Sequence, residues 1–269
     1  MFHVKEIYHG SHGILKLSRV AKTATFKGKT SGFAVKYVKQ GREEYYYNRQ
    51  HISLAPGHFL LLPADERYSA VHPQGQSVTE GVCIDLPLEL PFELTKELLF
   101  GHAFTAKPAG MNSLFPENPA AIAPSEDQLL TLQREIIAFA KQSKLISDRL
   151  RKEVKNIHTQ QHLINLLLTT ETFLIDHCST ALTLDGIARE VGLSKFHLSR
   201  LYKKAFGSTV QSRQRSLRLE KAADKIQGGN TPIKQLAYSL GYSSPAAFSR
   251  QFRQHYGCSP TEWRQQGED

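Results

Sequence analysis

Two rhythms of apolar residues divide the chain. Between residues 13 and 85, short runs rich in β-branched and aromatic residues recur at close spacing. They are Phe33 to Val38, Glu44 to Tyr47, His51 to Leu54, Phe59 to Leu62 and Val78 to Ile84. Gly41-Arg42, Pro56-Gly57, Pro63-Ala64-Asp65 and Pro73-Gln74-Gly75 separate them. Short strands punctuated by turn residues predict a β-sandwich or small barrel. Pro87 to Pro124 is irregular, with one short helix expected near Glu93 to Phe100. From Ser125 the period lengthens. Ser125 and Gln128 have the spacing of a capping box, in which each side chain satisfies a free backbone donor. Leu129, Leu132, Ile136 and Phe139 then share one helical face, and a second helix is predicted from Leu145 to His177 with Leu163, Leu166, Leu167, Phe173 and Leu174 as its apolar residues. The chain therefore reads as α+β. A strand-rich domain spans 1–124, a helical linker or dimerisation region 125–175, and an all-helical domain 176–269.

The all-helical part contains an internal repeat. Ala188, Gly192 and Ser194 recur as Ala237, Gly241 and Ser243; Leu198-Ser199-Arg200 recurs as Phe248-Ser249-Arg250, and Phe206-Gly207 as Tyr256-Gly257. The offset grows by one residue after the turn. In each unit the first helix carries an apolar stripe, Leu184, Ile187, Ala188 and Val191 or Ile233, Leu236, Ala237 and Leu240. Gly192 and Gly241 stand where the chain must turn through a left-handed conformation, which glycine adopts without steric cost. Ser194, and Ser243 or Ser244, are suited to cap the helix that follows. Thr231-Pro232 reads as a cap followed by a proline in the first helical position.

The second helix of each unit buries Leu198, Leu201, Tyr202 and Ala205, or Phe248, Phe252 and Tyr256. Lys195, Phe196, Ser199, Arg200 and Lys203 are left on one outer face, and Ala246, Ala247, Arg250 and Arg253 on the other. A basic, cap-defined helix of this kind fits the major groove, with its N-terminal residues at base edges and its basic residues near phosphates. Ordinary helical hairpins with basic surfaces are the plainer reading of one unit; two matched units in tandem favour DNA. Val210 to Gln227 reads as a single intervening helix, ended by Gly228-Gly229-Asn230 and about 27 Å long at 1.5 Å per residue. That length sets two recognition helices about one DNA turn apart. Arg213, Arg215, Arg218 and Lys221 add charge along it, with Glu220 and Asp224 as candidate partners.

Charge sharpens the division. The net charge is +9, and between residues 181 and 264 lysine and arginine outnumber aspartate and glutamate 14 to 5. The whole surplus thus lies in the helical module, and a basic module joined to a neutral one points to a polyanion as partner of the first alone. No apolar run approaches the roughly 20 residues needed to cross a bilayer. The N-terminus lacks the apolar stretch of a secretory signal, so the cytoplasm is the expected compartment. Cys83, Cys178 and Cys258 show no paired spacing and read as buried free thiols.

Residues 180 to 265 resemble the DNA-binding module of the AraC family of bacterial transcription regulators. The likeness is carried by Ile233, Leu236, Ala237, Gly241, Tyr242 and Ser243, then Phe248, Arg250, Phe252, Tyr256, Gly257, Pro260, Trp263 and Arg264. It implies a double helix-turn-helix in which Phe196, Ser199, Arg200, Ala246, Ala247 and Arg250 meet bases. It also implies promoter DNA, RNA polymerase and a second copy of the chain as partners. The sequence departs from the family pattern at Arg213, where a tyrosine is common. It departs again at Ser244-Pro245-Ala246-Ala247, which offers few hydrogen-bonding groups and leaves Arg250 most of the polar contact.

The strand-rich part resembles the cupin-like sensor domain of such regulators, through Pro56-Gly57, Pro63 and Asp65-Glu66-Arg67-Tyr68. That resemblance implies a small-molecule effector, which no residue identifies. A cupin enzyme would need clustered metal ligands. His51, His58 and His72 are present without the paired spacing, and His158 and His162 lack the glutamate of a helical zinc motif. The expectation is no catalysis, no metal and no cofactor. In the run Tyr45-Tyr46-Tyr47, strand alternation turns Tyr46 away from its neighbours. Leu166 and Leu167 are the residues expected at a helical dimer interface.

Overall fold

A computed structural model describes residues 2–73, 78–90, 99–100, 103–104, 125–180, 182–229 and 231–266. The chain splits into two compact units, Met1–Asn165 and Leu166–Asp269. The architecture is α+β, with the strands in the first unit and a helical bundle in the second.

The first unit stacks two antiparallel sheets. Strands β1 (Phe2–Gly10), β2 (Gly13–Val20), β9 (Thr79–Leu86), β4 (Phe33–Gln40), β7 (Phe59–Leu62) and β10 (Ala103–Phe104) form one, in that order. The other is ordered β3 (Ala24–Lys29), β8 (Arg67–His72), β5 (Glu43–Tyr47) and β6 (Gln50–Leu54). The five predicted strands are all present. β1, β2, β3, β8 and β10 were not expected, because charged and polar residues interrupt the first four and β10 has only two residues. Helix α1 (Glu126–Leu150) starts at the predicted capping box, Gln128 N donating to Ser125 Oγ and Ser125 N to Gln128 Oε1. Its buried stripe includes Leu129, Leu132, Ile136 and Phe139. Phe139 packs edge-on to Phe59 and Phe104, with centroids 5.6 and 5.0 Å away. One face of the larger sheet is thereby covered, and each fully buried side chain of this kind contributes roughly 1.5–3 kcal/mol.

Three expectations are corrected here. The second helix, α2, spans Ile157–Asp176 rather than starting at Leu145, which lies on α1 and is 48% exposed. The break has a cause: Asn156 accepts from Thr159 N through its side chain at 3.0 Å and starts a new helix. Leu167 is fully buried and Leu166 half-buried, so Leu167 belongs to the core rather than to a free dimer surface. Cys178 is buried, but Cys83 and Cys258 are partly exposed; all three are free. The short helix expected at 93–100 falls mostly outside the described residues. Tyr45 and Tyr47 are buried and Tyr46 is 48% exposed, as alternation requires.

The second unit contains α3 (Leu184–Glu190), α4 (Lys195–Phe206), α5 (Val210–Gln227), α6 (Ile233–Ser239), α7 (Pro245–Tyr256) and α8 (Pro260–Gln266). No described helix is long and apolar enough to cross a membrane.

Candidate nucleic-acid interface

The two repeats fold into congruent backbones. α3 and α6 each have 7 residues, α4 and α7 each have 12. Both turns pass through a left-handed glycine, Gly192 at φ 70° and Gly241 at φ 75°. Both are closed by a bond reaching back five residues, Leu193 N to Ala188 O at 2.9 Å and Tyr242 N to Ala237 O at 3.1 Å. Serines then start the second helices: Ser194 Oγ accepts from His197 N, and Ser244 Oγ from Ala247 N, each at 3.2 Å. The extra residue of the second repeat therefore lies in the turn, at Tyr242-Ser243, and Ser243 is exposed rather than capping. Gly207 and Gly257 end α4 and α7 at φ 76° and 80°. One expected cap is corrected. Pro232 occupies the cap position of α6 with no side-chain bond, and Thr231 instead offers its carbonyl to Arg264 at 2.6 Å.

The inward faces are as expected: Leu198, Leu201, Tyr202 and Ala205 on α4, Phe248 and Phe252 on α7. The outward faces hold every residue singled out for DNA. Lys195, Phe196, Arg200 and Lys203 are exposed and Ser199 half-buried; Ala246, Arg250 and Arg253 are exposed and Ala247 half-buried. Phe196 is 78% exposed, a large ring in water on a helix whose other apolar residues are inside. Arg200, Lys203, Arg250 and Arg253 form no salt bridge among the described residues. Lys195 is partly engaged, 3.5 Å from Asp185. Gln254, exposed beside Arg250 and Arg253, joins this face and was not singled out, since glutamine leaves no mark in the apolar pattern.

The expected pairing of α5 charges holds for Arg213 and Glu220, and Glu171 joins it from outside the helix. Arg213 Nε meets Glu171 at 3.1 Å and Arg213 Nη1 meets Glu220 at 3.4 Å. Tyr202 donates to the other Glu171 oxygen. Burial, and then Glu171, hold the Tyr202 hydroxyl far above the ordinary tyrosine range. Arg218 donates to the carbonyls of Cys178 and Thr180 at 3.3 and 3.2 Å. Two of the four basic residues thus satisfy the protein itself, leaving Arg215 as the fully exposed one. The trio of Glu171, Tyr202 and Arg213 joins residues 31 and 42 apart in sequence. Only the unusual Arg213 hinted at it.

α5 also anchors the second repeat. Leu219, Ala222, Ala223 and Ile226 pack with Leu236, Ala237, Leu240, Phe248 and Phe252. Trp263 on α8 completes an aromatic stack, 6.0 Å from Phe252 and 4.7 Å from Tyr256 between centroids.

Comparison with known proteins matches both units. A family model described as an AraC-like ligand binding domain matches residues 18–167, and one described as a helix-turn-helix domain matches residues 187–266. The chain is similar to the probable transcription factor PqrA of Proteus vulgaris, 37% identical over 31% of this chain and 69% of that protein. It is similar to the multiple antibiotic resistance protein MarA of Escherichia coli, 31% identical over 33% of this chain and 70% of that protein. Among solved structures, an AraC-type regulator from Chromobacterium violaceum is 29% identical over 42% of this chain and 96% of that one, with a TM-score of 0.37.

Proposed function

The chain belongs to the AraC family, a DNA-binding transcription regulator with an N-terminal ligand-binding domain, and from that premise we propose that it reads a two-part operator under control of a small molecule. The observation that carries this reading is the congruence of the two repeats. The same caps and turns present Arg200 and Arg250 from helices of equal length, joined by an 18-residue α5. In this reading Arg200 contacts a base edge and Phe196 a thymine methyl. Lys203 and Arg253 contact phosphates. α7 offers Ala246 and Ala247 methyls, so Arg250 supplies its polar readout.

The reading includes a homodimer made through the 125–175 region, contact with RNA polymerase, work in the cytoplasm and no catalysis. The segments 1–124, 125–175 and 176–269 are the corresponding effector, dimerisation and DNA modules. Operator binding by Arg200→Ala tests the reading. It should cost about 1–3 kcal/mol at the cognate site and relax base preference there. Equal weakening on all sequences would make Arg200 a phosphate contact instead.

A further inference from the structure

Both helix-turn-helix units pack on α5, and its two halves hold them differently. The C-terminal half meets the second unit through Leu219, Ala222, Ala223 and Ile226, all apolar. Apolar contact is non-directional, so it sets how close two elements come more sharply than how they are turned. The angle between α4 and α7 depends on directional contacts. Arg218, half-buried at the middle of α5, makes such contacts toward both units.

Toward the first unit, Arg218 Nε donates to Cys178 O at 3.3 Å and Arg218 Nη2 to Thr180 O at 3.2 Å. Gln214, one turn earlier on α5 and buried, donates to the same Thr180 carbonyl at 3.2 Å. Thr183, three residues on, caps α3, so the chain is tied to α5 just before the first unit begins. Because the donors of arginine lie in one rigid plane, these bonds also orient the guanidinium. Toward the second unit, Arg218 Cζ stands 5.5 Å from the centre of the Tyr242 ring, within cation–π reach. Tyr242 follows the turn glycine Gly241 and is 7% exposed. Its hydroxyl donates to Gln251 Oε1 at 3.3 Å, beside Arg250 on α7. The first unit has no such ring: Leu193 takes the place of Tyr242, closing its turn through the same backbone bond.

We propose that Arg218 sets the spacing of the two DNA elements that the protein accepts. It is a positioning residue. It makes no base contact, and acts by locking the chain before α3 to the turn before α7, which holds α4 and α7 at one relative angle. One base pair added between the elements moves one of them by about 3.4 Å and turns it by about 35° around the duplex. A locked pair of helices cannot follow that change at both elements, whereas a pair held by apolar contact alone has the freedom to follow it. The inference rests on the two-part reading above, in which both units bind one DNA.

The test uses the full-length protein and a genomic fragment that it selects, remade with one base pair removed between the two elements, none changed, and one or two added. Affinity is measured at fixed salt, and the readout is the ratio of affinity at shifted spacing to that at native spacing. For the wild-type protein a shift of one base pair should cost about tenfold or more. In Arg218→Ala the same shift should cost about threefold or less, whatever the loss at native spacing. Arg218→Lys keeps the charge and loses the planar fork, and its ratios should fall between the two. Tyr242→Leu, which copies the residue of the first unit, should broaden the spacing as Arg218→Ala does. It carries the test with Arg218→Lys if thermal unfolding shows that Arg218→Ala does not fold. Lys225→Ala, exposed on the same helix, should leave the ratios at wild-type values. Wild-type ratios in the folded Arg218 and Tyr242 variants, with affinity lowered equally at every spacing, overturn the proposal and leave the two-part reading standing. A wild-type protein indifferent to spacing, or bound to one element only, overturns that reading and the proposal with it.

Discussion

The two helix-turn-helix units share a backbone and differ in what holds it and in what it shows to DNA. The recognition helix of the first adds polar contacts to its apolar inner face, with Tyr202 and Arg213 converging on Glu171. That of the second is fastened by rings, Phe248, Phe252, Tyr256 and Trp263 in a continuous stack. On the outer face the exposed Phe196 corresponds to Ala246, while Arg200 corresponds to Arg250 and Lys203 to Arg253. The turn glycines and capping serines are what must stay the same for a helix to be presented at a given angle. The buttress behind it has many solutions, and the reading face in front carries the specificity. A hydrophobic buttress is insensitive to charge. A polar one couples the recognition helix to Glu171 on α2.

That contrast can be broken by substitution. The largest effect is expected for Phe252→Ala, which opens a cavity in the ring stack and should cost about 3–5 kcal/mol. Denaturant unfolding of the full chain would show it, and the part of an operator footprint due to the second unit should vanish first. Glu171→Ala should cost less, about 1–3 kcal/mol, by leaving the Tyr202 hydroxyl and the Arg213 guanidinium short of an acceptor. Its loss should appear in the first unit's footprint. An identical loss across both units would show that the polar and aromatic buttresses are not independent.

Gly192→Ala and Gly241→Ala should each cost about 1–2 kcal/mol, because both positions have positive φ. Nothing lies within 4 Å of a Cβ built at Gly192, so conformation alone is expected to set the cost there. Unequal effects would mean that the turns are less alike than their backbones. The smallest effect concerns the other domain. Asn48 and Arg49 form the two-residue turn between β5 and β6 with φ 47° and 61°. Arg49→Gly should change stability by no more than about 1 kcal/mol, since relief of the left-handed backbone is offset by added freedom in the unfolded chain.

The helical module was the more legible of the two regions. Its glycines, serines and apolar stripes are local signals, and each led to the element it announced. The break between α1 and α2 was missed because no glycine or proline marks residues 151–156, and Asn156 alone carries the signal. The strand-rich unit was legible as strands and opaque in its interior. Phe33 to Val38 reads as one apolar run, and nothing in it says that Lys36 is turned between two sheets. That placement depends on Cys83 and Tyr68, which lie 47 and 32 residues away. His72 looked like one of several scattered histidines. Only the pairing of β8 with β3 and β5 puts it beside Glu43, whose ionisation it influences. The Glu171 contacts escaped for the same reason, since long-range partners leave no period in a sequence.

The central claim is that both repeats read DNA together, and selection of genomic fragments by the full-length protein at physiological salt tests it most directly. The expected result is a shared motif of two short elements with centres about one helical turn, roughly 10 base pairs, apart. Arg200→Ala should flatten one element and Arg250→Ala the other. Salt-sensitive binding with no motif, or a single element untouched by Arg250→Ala, would contradict it.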